Sequence, residues 1–486
     1  MRKTVLLMGL LAMMLSATAQ NVSVKTQGES PVLGLKKTVM GYTHFYGMDD
    51  KSLYVRYATG KPMKVDKVCL GRFNKLMDME AMCEFDNDKA TPMVVFVNDN
   101  DVAMILHRHS KDQLMVTSQH YAKQSLEPMG EPVLLRSIDL DNKHLAQMDA
   151  SNSENQQYAA TLCLEQLPDS AVKVDVVLYD SHLEEQWHME SNFIGNDNAS
   201  WNLMTGQLTG AYSDFFVSNN GEVLITSTVT NSDNSTVISL IQMNGKEQNH
   251  YTVRTYALGI RSAKVLKCEG DLVYITGNQE KVYARNVYQH SKYTTGLYML
   301  VYNMKTKKTQ SVKFYPLNED DWRVLRNQSG KASMALEAYN TSFTGAACDE
   351  EGFTMTFVSK GIVVMRANKQ GEIEWVRRMR NDNDATWDQS NMIQVFTHSY
   401  GDKVLVAVNR DNGNVDRDTT KVAEVFKPGK SDAVLTCYLI DRQGNVSETN
   451  AALPPKSGML GRPVEVSKDK FVFVGASNKS GYWGEF

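Results

Sequence analysis

What this 486-residue chain lacks narrows its chemistry first. It contains no Gly-x-Ser-x-Gly elbow, no His-Glu-x-x-His pair and no Gly-rich phosphate loop, so serine-hydrolase, zinc-protease and P-loop mechanisms have no visible starting point. After the first 19 residues no apolar run approaches the roughly 18 to 20 residues that a transmembrane helix needs, so no membrane span is expected. There is no cluster of Lys and Arg. The 52 basic residues face 56 acidic ones, a formal net charge of −4, and without Arg2 and Lys3 the balance is more acidic still. Phosphate backbones need a basic surface, so nucleic acid is not an expected partner. Proline is scarce at 11, and no Pro- or Ser-rich linker divides the chain. One domain is therefore expected, although ~150 residues per domain would suggest about three.

Metal and disulfide signals are equally thin. Cys69, Cys83, Cys163, Cys268, Cys348 and Cys437 stand singly, mostly on apolar segments, which reads as buried free thiols and not a disulfide framework. Cys69 and Cys83 are the best-placed pair, since both fall on one predicted hairpin. Alignment with its sister hairpins puts the turn near Asn74 and sets the two about two residues out of register. His107 and His109 share a strand face, but His120 would lie opposite residue 102 or so, on the order of 15 Å away, so no three-His site is expected. The stretches NDND from Asn381 and RDNGNVDRD from Arg410 lack the Gly and terminal Glu offsets of a calcium loop. No metal and no cofactor is expected.

At the start of the chain, Arg2 and Lys3 precede an apolar run from Val5 to Leu15, followed by the small residues Ser16-Ala17-Thr18-Ala19 before Gln20. This is the pattern of a secretory signal peptide over residues 1–19, with a mature domain over 20–486. The mature protein is expected to be soluble and either periplasmic or secreted. No Cys follows the cleavage site, so a bacterial lipid anchor is not expected.

The remainder is repetitive. Seven times a turn built on Asn, Asp or Gly is followed by a short apolar strand: NNGEVLITS from Asn219, CEGDLVYITGN from Cys268, DEEGFTMTFVSK from Asp349, YGDKVLVAVNRDN from Tyr400, SKDKFVFVGASN from Ser467, and weaker copies from Asp49 and Asn98. A second hairpin class alternates with the first, as in LIQMNGKEQNHYTV from Leu240 and CYLIDRQGNVSETN from Cys437, and its return strand is more polar. Four strands per repeat, rising in polarity outward, describe an all-β propeller of four-stranded antiparallel blades. Eight blades are expected, with the strand pair at 463–476 supplying inner strands of the last blade and residues near Val22 to Leu35 its outer strand. Seven remain the alternative if residues 36–58 lie elsewhere.

The hairpin ANKQGEIEW, Ala367 to Trp375, resembles the Asp-x-x-Gly-x-x-x-Trp hairpin of quinoprotein-type propellers and of exported propellers that act as assembly scaffolds. Trp187 after Asp180 and Tyr251 after Asn244 take the equivalent place. The likeness covers three or four hairpins and departs at Gln310 after Asn303 and Glu448 after Asp441, so it does not imply a bound quinone. The three aromatics are expected to pack between neighbouring blades.

Strand parity places the first-to-second and third-to-fourth turns of every blade on one rim, and all other connections on the opposite rim. The long insertions, residues 194–211, 277–295, 316–341, 380–391 and 409–432, all belong to the second set. Segments a fold does not need often carry binding. Trp201, Tyr288, Trp322, Arg323, Trp387 and Arg410 are the candidate anchors for a protein or glycan partner, because aromatics and Arg dominate interface energetics. A non-catalytic binding or scaffold role is the expectation. The alternative is a glycan-active hydrolase or lyase using Asp320, Asp382, Asp384 and Asp411 over the central channel, which would need two carboxyls roughly 5 to 9.5 Å apart. Oligomeric state is not legible. The leader reading is checked by mass spectrometry of the purified mature protein: the expected N-terminus lies at or next to Gln20, and an intact Met1 would refute export.

Overall fold

Side chains that accept from their own turn organise the sheets. Asp49 Oδ1 accepts from the backbone N–H groups of Lys51 and Ser52, and Asp349 Oδ1 does the same for Glu351 and Gly352. Asn74, Asp180, Asn368 and Asp441 each hold two N–H groups across a longer turn. Such Asx turns satisfy donors that the strand ladders leave over. In the longer turns the fourth residue takes positive φ. It is Gly371 or Gly444 in two copies but Met77 or Leu183 in two others.

Between these turns the chain runs as eight four-stranded antiparallel sheets in a ring, seen in a computed structural model. The structure describes residues 22–38, 43–61, 64–85, 91–109, 113–139, 146–166, 171–194, 200–202, 207–209, 212–230, 235–286, 289–317, 342–358, 361–380, 395–415 and 426–486. Blades 1 to 7 follow chain order over residues 44–85, 91–139, 146–194, 214–258, 264–316, 342–380 and 396–452. The first strand of each is innermost and the fourth outermost. No described helix is long and apolar enough to cross a membrane.

Blade 8 joins the two ends of the chain. Its three inner strands are Ser457–Ser467, Lys470–Ser477 and Gly481–Glu485, and its outer strand is Lys25–Ser30. Lys25 pairs with Glu485, Thr26 with Gly484 and Gln27 with Trp483. Trp483 in turn donates from Nε1 to the Lys75 carbonyl of blade 1, 2.8 Å away. The eight-blade reading and its shared last blade are therefore correct.

Cores lie between blades and not within them, because each strand sends alternate side chains to opposite faces. Six apolar clusters each bridge one pair of neighbours, from blades 1 and 2 to blades 6 and 7. The seventh spans blades 7, 8 and 1 and contains Leu33, Phe73, Phe426, Phe471 and Phe473, all fully buried. The resemblance-bearing aromatics sit at such seams. Trp187 donates to the Gly221 carbonyl of blade 4, Trp375 to the Arg442 carbonyl of blade 7, and the Tyr251 ring meets Tyr302 of blade 5 edge-on at 5.7 Å.

Two expectations change. Cys69 pairs with Glu84 and Cys83 with Leu70, so the cysteines are one position out of register and point to opposite faces of blade 1. Both are free, as are the other four. The difference from the expected two-residue offset arises at the bulge between Arg72 and Phe73. Residues 277–295 are not an insertion loop. The strands Leu272–Asn286 and Gln289–Asn303 continue their pairing well past the blade as a projecting hairpin.

Truncation after Leu460 should abolish folding of the whole ring in circular dichroism and melting; an unchanged melting curve would show that closure is dispensable. Gly481→Ala would drive a Cβ into that of Leu33, and should cost about 1–3 kcal/mol in urea unfolding while keeping a single transition.

Candidate functional site

The antiparallel meander bears out strand parity on the described strands: the Asx turns share one rim, and the second-to-third and blade-to-blade connections share the other. Most of the expected anchors lie outside the described residues. Tyr288, Trp322, Arg323 and Trp387, and the carboxylates Asp320, Asp382 and Asp384, lie outside them. Trp201 is in a small hairpin, Ser200–Asn202 with Gln207–Thr209, where it pairs with Leu208.

Arg410 and Asp411 are described, and both have structural partners. Arg410 is buried, with Nη1 at 3.2 Å from the Tyr438 hydroxyl and 3.1 Å from Glu448. That Arg joins the second strand of blade 7 to its third and fourth strands. Asp411 caps the turn Asn412–Asn414 by accepting from the Gly413 N–H at 2.8 Å.

Sequence reasoning missed the group inside the ring. On the innermost strand of blade 8, Leu460 pairs with Val474 and Val464 with Val472, so Gly461, Arg462 and Pro463 stand against Phe473 alone. Gly461 takes φ 67° and Pro463 has no N–H to leave unpaired. This bulge throws Arg462 off the strand, and its Nη2 donates to the Thr344 carbonyl on the innermost strand of blade 6 at 2.7 Å. Blade 7 separates those two blades, so the bond spans the central channel as a chord. The signal that would have found it is Gly-Arg-Pro inside an apolar strand, an interruption the pattern does not need.

Beside it stand His44 and Tyr46 on the innermost strand of blade 1, with rings 4.6 Å apart, and Arg56, which pairs with His44 across the strands. Arg56 donates to the Pro92 carbonyl of blade 2 at 2.9 Å and lies 5.9 Å from the Tyr46 ring centre. Burial, with the positive charge of Arg56 and then Arg462, lowers the His44 pKa from 6.5 to about 4. The imidazole is therefore neutral at physiological pH. Arg462 itself is exposed to solvent.

Other polar groups on the described surface are less open to a ligand. Asp175, His188 and Glu190 bring three potential metal ligands within 4.8 Å of one another. Arg136 of blade 2, however, sits 2.6 Å from the buried Asp175 carboxylate, and Lys173 sits 3.1 Å from Glu190. Those cations occupy the place and supply the charge a metal would bring, so the group is an ion network between blades. On the Asx-turn rim a cleft of about 110 Å³ between blades 6 and 7 is lined by Cys348, Asp349, Lys403 and Arg442, small beside the roughly 300 Å³ at which ligand pockets usually begin. Burial pushes the Cys348 thiol up to about 12, so it is not a nucleophile at neutral pH.

No protein-family model matches the sequence, and no curated protein does. Among solved structures, the chain is similar to the WD40 domain of SCAP from fission yeast, with 8% identity, 96% of this chain and 98% of that one covered, and a TM-score of 0.39. The β-propeller domain of the Trilobed protease from Pyrococcus furiosus gives 9% identity, coverages of 84% and 95%, and a TM-score of 0.34. Prolyl oligopeptidase B from Galerina marginata gives 11%, 94% and 56%, with a TM-score of 0.38. The propeller assignment here rests on the sheet topology.

His44 makes stability depend on pH in a stated direction. In the unfolded chain it gains its proton near pH 6.5, in the folded one only near 4, so its protonation favours unfolding. Its contribution is intact above pH 6.5 and is lost as pH falls from 6.5 to about 4, by up to about 1.4 kcal/mol per pH unit. Urea unfolding at three pH values, one above this window and two within it, should show this slope, and His44→Gln should flatten it; an equal slope in both proteins would contradict the assignment.

Proposed function

We propose that this chain is an exported, non-catalytic binding propeller that engages a protein or glycan partner through the rim carrying its longest connections. The observation that carries the reading is parity. In a ring of antiparallel four-stranded blades, the described strands that flank residues 318–341, 381–394 and 416–425 all end toward one rim, and these connections are longer than the roughly 2–6 residues that commonly join neighbouring strands. Their composition, with Trp322, Arg323 and Trp387, suits an interface anchored by aromatics and Arg.

A protein partner is further supported on the outside of the ring. Of the large apolar side chains exposed among the described residues, Met79, Met82, Met129, Val133 and Leu134 lie on or beside the outer strands of blades 1 and 2, with Leu76 in a blade 1 turn, and Val446 alone lies elsewhere. Adaptable Met side chains are over-used on binding surfaces. Among the carboxylates that a glycan hydrolase would draw on, Asp411 already serves as a turn cap.

The test is a pull-down from envelope extract with wild type and with Trp322→Ala combined with Trp387→Ala, both verified as folded. Loss of the retained partner in the double variant is expected. Equal retention would move the binding surface to the other rim or the outer strands, and glycan turnover lost in Asp320→Asn, Asp382→Asn or Asp384→Asn would replace binding by catalysis.

A further inference from the structure

Met79 and Met82 stand three residues apart on the outermost strand of blade 1, a spacing that sends side chains to opposite faces of a regular strand. Here they share a face. Phe73 pairs with Met79 while its neighbour Arg72 pairs with Ala81, so Glu80 is an extra residue, and the bulge turns Met79 to the side that Met82 occupies. Two sulfurs thereby converge on one oxygen. The Tyr57 hydroxyl lies 3.6 Å from Met79 Sδ and 3.0 Å from Met82 Sδ. Its ring passes over Gly71, where a Cβ would come within 3.2 Å of it, so the missing side chain leaves that path open.

A third sulfur stands next to this point. Cys69 is the ladder partner of Tyr57 on one side and of Glu84 on the other, and directly opposed side chains on one face have Cβ atoms about 4.5–5.5 Å apart. Tyr57 and Cys69 belong to the same core cluster. Cys69 is buried, with 2% exposure, whereas Met79 and Met82 are 40% and 41% exposed, so the thioethers lie open to solvent with the thiol beneath them. The neighbouring carboxylates are already paired, Glu84 with Lys67 at 2.8 Å and Glu80 with Arg72 at 2.7 Å.

We infer that Met79, Met82 and Cys69 form a binding site for a soft monovalent metal ion, copper(I), on the outer part of blade 1. Thioether and thiolate sulfur are the ligands that select copper(I) over harder ions. Three rotatable bonds let each exposed Met side chain close on an ion without moving the sheet. Cys69 supplies the negative charge by releasing its thiol proton to solvent as the metal binds. Sequence spacing gives no sign of such a site, because the bulge creates it. It needs neither the long-connection rim nor the partner proposed above.

The experiment titrates the intact, reduced protein with copper(I) under ascorbate and without oxygen, in competition with the chelator bicinchoninate, whose copper(I) complex is read by absorbance. One ion per chain is expected to leave the chelator. Met79→Leu combined with Met82→Leu, and separately Cys69→Ala, should weaken binding by more than the roughly 10-fold that loss of an outer partner of a metal ligand costs. Cys83→Ala, on the opposite face of the same blade, should leave it unchanged. A second readout uses silver(I), which takes the same ligands without redox chemistry, and isotope-labelled methionine methyl groups: the resonances of Met79 and Met82 should shift in the wild type. Failure of the wild type to take copper from the chelator with no shift of those methyl groups would overturn the inference, as would affinity unchanged in the double Met variant or in Cys69→Ala. The methyl shifts decide the question in the wild type even where a variant fails to fold.

Discussion

Everything in this ring depends on one pairing, that of Lys25–Ser30 with Gly481–Glu485. A propeller blade buries its faces only against its neighbours, so an open end would expose both a sheet face and a strand edge. The ladder from Lys25 to Glu485 removes the edge, and the cluster spanning blades 7, 8 and 1 removes the face. Among the described clusters it alone is shared by three blades. Aromatic rings supply much of its contact area. Phe396, Phe471, Phe473 and Phe486 lie within 5.3 to 6.2 Å of one another in the pairs that touch, where edge and offset contacts add to area burial.

Much of this was legible because turn chemistry and strand alternation are local. An Asx turn needs only its own few residues, so Asp349, Asn368 and Asp441 mark hairpins wherever they fall. Aromatics at a fixed distance after such turns, Trp187 and Trp375, reach the next blade because the hairpin geometry repeats. Even the shared last blade follows from a surplus pair of strands. Long-range register is a different matter. The projecting hairpin through Asn286 and Gln289 escapes a sequence reading, since nothing in an alternating pattern says where a blade ends and its extension begins. The Cys69 to Cys83 offset differs from expectation by a single bulged residue.

Charged residues were the least legible class. Arg410 reads as a loop residue beside Asp411, yet it is buried against Tyr438 and Glu448, because a long side chain at a strand end can fold back over the sheet. Arg462 reads as an ordinary residue within an apolar strand, yet it crosses the channel. The same residue type thus serves opposite ends. At Arg136 and Arg366 a carboxylate neutralises the cation and ties strands together, whereas at Arg462 a bulge sets the cation apart from any described counter-charge. Which of these a given Arg does depends on partners brought in from other blades, and one dimension does not display them.

The shared blade also sets a timetable for synthesis. Trp483 and its partner carbonyl on Lys75 are 408 residues apart in the chain, and the strand at Lys25–Ser30 is separated from its mate by more. At roughly 5 to 20 residues per second that separation takes on the order of 20 to 80 s to translate. Throughout that interval the leading strand has no mate and blade 1 lacks a neighbour on one side, while later blades are already able to collapse. The ring is thus closed by a strand made before any blade was complete, and the nascent chain has to keep that adhesive strand out of wrong pairings until Gly481–Glu485 emerges.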